Sequence, residues 1–533
     1  MMFDTILKGG RIIDGTGSSP ERLDIGIKKG VIAAIDKDLN NNAASVLDIS
    51  NLFVSPGFID VHSHCDLIPF MSGKIRHTRL LQGVTTEIVG QCGLGAAPYS
   101  QSMCNWKQYL KSILGDIPND WNWPEFSDYL KEMSDTPKPN NVASLVTHGA
   151  IRASVIGLGS VQPDKTEMKK MQDLALQSME SGAIGISYGL VYLPGVFAQR
   201  DEIAALSKIA AMYDGIVMIH IRSYSNEIRQ AMNEILQIAK ETGIKLQISH
   251  LKSYANRISH VSGKELIQII ENARSEGIDV TFDEHPYTAG STLLNQILPP
   301  WAKEGGSSEI VKRMQDPDTL DRLRSDLSLN APKYPGWDNH VGAVGWSNIL
   351  VNSVKNEKNI KFQGKTMDQI SDMMGTDEVN ALSRLLVEGN AECSMVTLNL
   401  FSEQDIIDLI SHPLSQIGSD GIPTGTPHPR LYSTFPKFIG HYIRDLKLMD
   451  LSCAIKKITG DPALRLNIKD RGLIKVGLAG DIVVFDLNTI NGKEDYAHPD
   501  QIPSGIKYVF VNGKLAVNKG KVTTDNAGVL ISR

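Results

Sequence analysis

Two histidines one residue apart, His62 and His64, sit at the end of SPGFIDVHSHCD (55–66). Side chains two apart on a β-strand leave it on the same face, so both imidazoles point to one side, close enough to share a metal ion. An isolated pair of this kind is explained as well by surface or core histidines. More donors follow along the chain: Cys92 in GVTTEIVGQCGLGAAP, His220 ending IVMIH, His250 ending LQISH and Asp420 in IGSDGIPTG. Each alone has a bland reading. Cys92 could be a buried structural thiol, the histidines hydrogen-bonded rim residues, and Asp420 a solvated turn aspartate. Together, a thiolate and imidazoles at the ends of apolar runs form a zinc-type donor set. A carboxylate beside such a metal serves as ligand and as general base. His148 supports the ligands at best. Gly90, Gly93 and Gly95 precede no Lys-Ser/Thr pair and fit no dinucleotide fingerprint, so they read as loop geometry.

The elements that must position these residues alternate. Strand-like runs occur at 85–92, 141–149, 183–190, 215–223, 245–253, 278–287 and 414–420, and the His62 strand makes eight. Amphipathic runs such as DEIAALSKIAAMYD (201–214) and SNEIRQAMNEILQIAKETG (225–243) lie between them at helical spacing. Eight β-α units predict a (β/α)8 barrel, whose active site lies at the carboxyl ends of its strands. His62, His64, Cys92, His148, His220, His250, His285 and Asp420 all fall at or just past those ends.

Short strands with turns return at both termini, in FDTILKGGRIIDGTG and DIGIKKGVIAAID, then in AGDIVVFDL and KYVFVNGKLAVNKGKVT. Lys29-Gly30, Asn512-Gly513 and Lys519-Gly520 mark turns between them. The expected fold class is therefore α/β: a TIM-like barrel over 56–469, with a small β-sandwich domain built from 1–55 and 470–533. The stretch between Thr292 and Ile417 exceeds what a β-α connection needs. A lid or insertion is expected within about 292–400, with LPPWAKEGG (298–306) and helices around 308–328 as part of it. Trp301, Trp337 and Trp346 belong to the lid core or line an acyl pocket.

A chain of 533 residues, 41% hydrophobic and 21% charged with net charge −6, reads as an ordinary globular protein. Charges of both signs spread along it give no sign of nucleic-acid or membrane-surface binding. No signal peptide is evident at the start, and no apolar run approaches a membrane span. Five sparsely spaced cysteines suit a reducing compartment, so a cytoplasmic location is expected.

SPGFIDVHSHCD, the Ser419-Asp420 pair and the split β-domain resemble the amidohydrolase superfamily. The finer resemblance is to the N-acyl-D-amino-acid deacylases (D-aminoacylases). It rests on QGVTTEIVGQCGLGAAP (82–98), NVASLVTHGAIR (141–152), GISYGLVYLPGVFA (185–198), HPYTAGST (285–292), SDGIPTGTPHPRLYSTFP (419–436) and TGDPALRLNIKDRGLIKVGLAGDIVVFD (459–486). These motifs cover nearly the whole chain in order. The cysteine, where most amidohydrolases use a carboxylated lysine, marks the subgroup. The resemblance implies a tightly held Zn2+ on Cys92, His220 and His250, and a second, weaker metal position on His62, His64 and Asp420. It makes Asp420 the catalytic residue and assigns Arg430, Lys252 and Ser291 to the substrate carboxylate. Tyr192 helps shape the side-chain pocket.

The chain departs from the pattern at His285, where tyrosine is usual before Pro-Tyr and helps bind the substrate carboxylate, and at Ser433, where glycine is usual. The implied activity is zinc-dependent hydrolysis of N-acyl-D-amino acids, small molecules with a free carboxylate. A D-specific dipeptidase or a dihydroorotase-like cyclic amidase remains as an alternative. A non-catalytic binding protein on the same scaffold is the third reading.

Overall fold

The computed structural model describes residues 2–99, 103–115, 122–255, 260–329 and 334–533. Eight parallel strands build the central barrel: β1 (Phe58–Asp60), β2 (Val84–Val89), β3 (Asn141–Ser144 continuing as Val146–Thr147), β4 (Gly185–Gly189), β5 (Ile216–His220), β6 (Lys245–Ile248), β7 (Val280–Glu284) and β8 (Ser415–Ile417). β1 to β3 pair in order, and β3 to β8 pair in order through β4, β5, β6 and β7. β3 is the joint. Its first half pairs with β2 and its second with β4, and it changes partner at Leu145, whose N–H donates to the Val89 carbonyl. Stagger between neighbours is what tilted strands need to close a barrel. Closure from β8 to β1 comes just past the strand ends, where the Asp420 N–H donates to the His62 carbonyl at 2.7 Å and Ser63 bridges Gly421.

The helices between strands bury one face each. Ile228–Thr242, for example, presents Ile228, Met232, Ile235, Leu236 and Ala239 to the barrel, the three-to-four spacing of an amphipathic helix. The run expected as one strand over 141–149 is shorter, because a helix, His148–Ile156, starts at His148.

Strands from both termini form one nine-stranded sheet. Val54 pairs with Val484, so the chain's first and last thirds share a ladder. The three predicted turns have both central residues at positive φ (Lys29 50°, Gly30 84°; Asn512 47°, Gly513 73°; Lys519 48°, Gly520 76°), the geometry of type I′ hairpins. Alternation sorts the two faces. Ile482, Val484 and Phe510 join Leu7, Ile25 and Ile27 in the sheet's own core. Val483, Phe485, Val509 and Val511 turn to the barrel and pack with Phe58, Phe435 and Phe438. Phe58 stacks on Phe435 at 5.9 Å between ring centroids and meets Phe485 edge-on at 6.5 Å. The final residues leave the sheet and run beside β3, where Val529 and Ile531 bond to Val142.

Between β7 and β8 the chain makes a three-stranded antiparallel sheet (Gly290–Leu293, Ser394–Thr397, Ile349–Ser353). A helical cluster with its own core follows, including Leu298, Ile310, Met314, Trp337, Leu382 and Leu385. The expected helices lie at Ser307–Met314 and Pro317–Leu327. This cluster roofs the carboxyl ends of the strands. Asp338 accepts from Ser223 Oγ at 2.6 Å and Tyr224 N at 2.7 Å just past β5. Trp301 and Trp346 pack against the core of the roof, whereas Trp337 belongs to that core and also lines the pocket below it.

Phe485→Ala should lower stability by about 3–5 kcal/mol, the usual cost of emptying a buried aromatic site, with metal content unchanged. Chemical denaturation of the full chain measures it, and a shift below about 1 kcal/mol would show that the sheet and barrel do not share this contact energetically.

Candidate metal centre and active site

β1 ends at Asp60, two residues short of His62. The chain nevertheless continues extended, held by the Asp420 N–H on the His62 carbonyl and the His64 N–H on the Gly421 carbonyl. The rings of His62 and His64 therefore stand 5.5 Å apart. β2 ends at Val89, and Cys92 follows in a turn at φ 53°. Two glycines let that turn reach inward. Gly93 takes φ 67°, and a Cβ on Gly189, at the end of β4, would lie 1.9 Å from the Cys92 carbonyl oxygen. His250 (φ 34°) and Asp420 (φ 49°) are also left-handed. Such backbone costs about 1–3 kcal/mol per non-glycine residue and persists where surrounding contacts over-determine it.

The donors converge. Cys92 Sγ lies 3.3 Å from His62 Nε2 and 3.5 Å from His250 Nε2. His220 Nδ1 lies 3.0 Å from His250 Nε2. Asp420 Oδ1 lies 3.2 Å from His64 Nε2 and 3.6 Å from His62 Nε2. Three trios have ligand atoms within 4.8 Å of one another: His62, His64 and Cys92; Cys92, His220 and His250; His62, His250 and Asp420. Donors bound to one tetrahedral metal at about 2.0–2.3 Å stand roughly 3.3–3.8 Å apart, so these spacings fit a divalent metal.

Electrostatics agree with that fit. Burial pushes the His220 pKa down to about 3. Burial, and then the His220 imidazole, takes His250 well below its ordinary value. Both rings are thus neutral, with lone pairs available. Burial pushes the Cys92 thiol up to about 11 against the pull of His62, so thiolate at this position calls for a cation. Burial would also raise Asp420, but Arg430 and His64 overcome it and hold the carboxyl well below its usual range.

Sequence reasoning missed Asp283. Its Oδ1 bonds His62 Nδ1 at 3.0 Å and accepts the His250 N–H at 2.9 Å, while Oδ2 accepts from Gln247 at 3.0 Å. One carboxylate thus fixes the His62 tautomer, leaving Nε2 to face the cluster, and shapes the turn that carries His250. Tyr224 was missed too; its ring packs on His220 and His250 at 4.8 and 5.2 Å. His148 stands apart, stacked on Tyr188 and bonded to Glu202 Oε1 at 2.6 Å.

The five residues expected at the substrate all line the pocket above the cluster. Arg430, fully buried, donates from Nη1 to Asp420 Oδ2 at 2.9 Å and from Nη2 to the Ser291 carbonyl at 3.0 Å. Lys252 pairs with Glu284, a second acid the sequence did not flag. His285 Nε2 faces both Lys252 Nζ at 3.1 Å and Arg430 Nη1 at 3.2 Å. Both neighbours are donors, so this nitrogen accepts. Burial, then Lys252 and Arg430, keeps the ring neutral by lowering its pKa well below the ordinary value. Ser291 Oγ is buried without a hydrogen-bond partner among the described residues. Tyr192 sets its ring on His220 at 5.0 Å and its hydroxyl on Thr292 Oγ1 at 3.0 Å.

The family model for the amidohydrolase family matches residues 45–320 and 348–517. The chain belongs to the amidohydrolase family. This amidohydrolase is 31% identical to a D-aminoacylase of Alcaligenes xylosoxydans xylosoxydans, over 100% of its own length and 98% of the relative's. Its fold is similar to that of an N-acyl-D-glutamate deacylase from Bordetella bronchiseptica complexed with zinc and a phosphonate inhibitor that mimics the tetrahedral intermediate. The TM-score is 0.85 and the identity 29%, with both chains fully covered. A D-aminoacylase described as having a binuclear metal centre matches with TM-score 0.82 and 29% identity, again over both full chains.

Asp283→Asn should weaken metal binding about 10- to 100-fold, as loss of a ligand-orienting carboxylate does. Competition with a chelator measures it; unchanged affinity would mean that the His62 tautomer is fixed by something else.

Proposed function

We propose that this amidohydrolase is a zinc-dependent deacylase that hydrolyses N-acyl-D-amino acids to a carboxylate and a free D-amino acid. The observation that carries the reading is Asp420, whose one carboxylate faces the donor cluster through Oδ1 and Arg430 through Oδ2. That arrangement sets a proton-transfer group between a metal site and a carboxylate receptor. The related proteins are described as a D-aminoacylase and an N-acyl-D-glutamate deacylase, and the D stereochemistry rests on that likeness.

Cys92, His220 and His250 would hold the tight zinc, and His62, His64 and Asp420 a weaker second position. Zinc lowers the pKa of water toward ~7 and polarises an amide carbonyl. Asp420, ionised and aimed into the pocket, takes the proton of the attacking water and returns it to the amine nitrogen, which leaves only when protonated. Arg430 presents a planar fork to the substrate carboxylate. On binding, that carboxylate takes the place beside Arg430 that Asp420 holds in the free protein. Lys252 and the unpartnered Ser291 hydroxyl add donors on the same side. His285, an acceptor at Nε2, holds the two cations in position and does not itself donate to the carboxylate through that nitrogen. The roof keeps bulk solvent away from the site. No helix of the described residues is long and apolar enough to cross a membrane. A cytoplasmic location fits the cysteine usage.

Purified protein of known zinc content should release free amino acid from N-acetyl-D-amino acids and none from the L forms. Turnover of neither would refute the reading. Asp420→Asn should lower kcat by about 10²–10⁴-fold, the range for losing a general base, with the zinc of the Cys92 group retained. Arg430→Lys should act mainly on KM, raising it about 10-fold or more through loss of the two-pronged contact; equal kinetics in the two proteins would remove Arg430 from the carboxylate site.

A further inference from the structure

The pocket holds one cation more than its chemistry so far uses. Lys252 is paired with Glu284, and Arg430 with Asp420. Lys303, at the end of the short helix Pro300–Lys303, also lines the pocket, with only 1% of its surface exposed. Its Nζ donates to Gln296 Oε1 at 2.8 Å and to the Val191 carbonyl at 3.2 Å. Both acceptors are neutral, and among the described residues no carboxylate lies within ion-pair distance. Asp338 shares the pocket, but its oxygens are engaged by Ser223 and the Tyr224 backbone.

An ammonium has three N–H donors, so one remains after Gln296 and Val191. A buried charge without a counter-charge is disfavoured. Accordingly burial, only partly offset by Asp338, pushes the Lys303 pKa down to about 7. The lysine is close to the reacting centre, because Val191, which holds it, precedes Tyr192, whose ring packs on His220.

We propose that Lys303 is a specificity residue that pairs with a carboxylate on the substrate's side chain, making this enzyme selective for N-acyl derivatives of acidic D-amino acids. The proposal rests on the deacylase reading above and deepens it. Arg430 and Lys252 take the α-carboxylate common to every N-acyl amino acid. Lys303 takes a second one, and an incoming anion supplies the counter-charge that the free pocket lacks. Gln296, bonded to Lys303 and to Tyr109 Oη at 3.2 Å, fixes where the ammonium points.

The test compares near-isosteric pairs on zinc-loaded, full-length protein: N-acetyl-D-glutamate against N-acetyl-D-glutamine, and N-acetyl-D-aspartate against N-acetyl-D-asparagine. At least one acid should exceed its amide in kcat/KM by about 100-fold, as expected when a buried charge pair replaces a neutral contact. Lys303→Met should bring that ratio to within a few-fold of one, and Lys303→Arg, which keeps the charge, should retain most of it. A wild-type enzyme that turns over both amides as well as or better than their acids overturns the proposal and leaves the deacylase reading standing. So does a ratio that survives in Lys303→Met while both rates fall together, which would make Lys303 a tie between roof and barrel. If Lys303→Met does not fold, the wild-type ratio and Lys303→Arg still decide. Failure on all four substrates together with neutral N-acetyl-D-amino acids overturns both.

Discussion

Lone pairs set the terms of this structure. Imidazole nitrogens, a sulfur and a carboxylate oxygen come within about 3–3.6 Å of their neighbours in one buried cluster. Without a cation such atoms approach one another only by sharing protons, and the polypeptide must fix the spacing that a metal would use. It does so with backbone. Cys92, His250 and Asp420 are all left-handed, and each follows a strand anchored in the barrel. Asp283 adds a side-chain restraint on His62 and His250 at once. Rigid strands carry the strain, and the turns above them express it as chemistry.

The same logic extends outward through alternating charges. Glu284 faces Lys252, Lys252 and Arg430 both face His285, and Arg430 faces Asp420. A neutral imidazole with its lone pair between two cations keeps them apart without consuming their charge. This explains how histidine can stand at a position where the related pattern has tyrosine. In that place the ring spaces the two cations on either side of it.

Much of this was legible in the sequence, and the limits of that legibility are physical. Seven of the eight barrel strands fall inside runs read from apolar residues between turn signals, and the remaining one, Val84–Val89, begins one residue before its run. The terminal hairpins were readable because Lys-Gly and Asn-Gly pairs satisfy a local backbone requirement. Donors were found because histidine and cysteine at strand ends are uncommon enough to notice. Asp283 and Glu284 went unnoticed because nothing local distinguishes a buried acid in VTFDEHPY. Their partners His62, Gln247 and Lys252 lie on other strands or the turns beyond them, and only the closed barrel brings them near. The left-handed turns at Cys92, His250 and Asp420 escaped because none of the three is a glycine, the residue that marks such backbone in a sequence. Lys303 looked like any lysine in a polar stretch until the roof folded over it.

The ladder that joins Val54 to Val484 also has a consequence in time. Its two strands are more than four hundred residues apart, and ribosomes add about 5–20 residues per second. The first hairpins therefore wait roughly 20 to 90 s before their partner strand exists. During that interval the Phe53–Pro56 strand offers an unpaired edge, of the kind that invites association with other chains. Arg11, opposite Phe53 on the adjoining strand, places a charge beside that edge. A sheet that joins strands so far apart commits to its final shape only once the later strand is made, and the earlier strands must remain soluble alone until then.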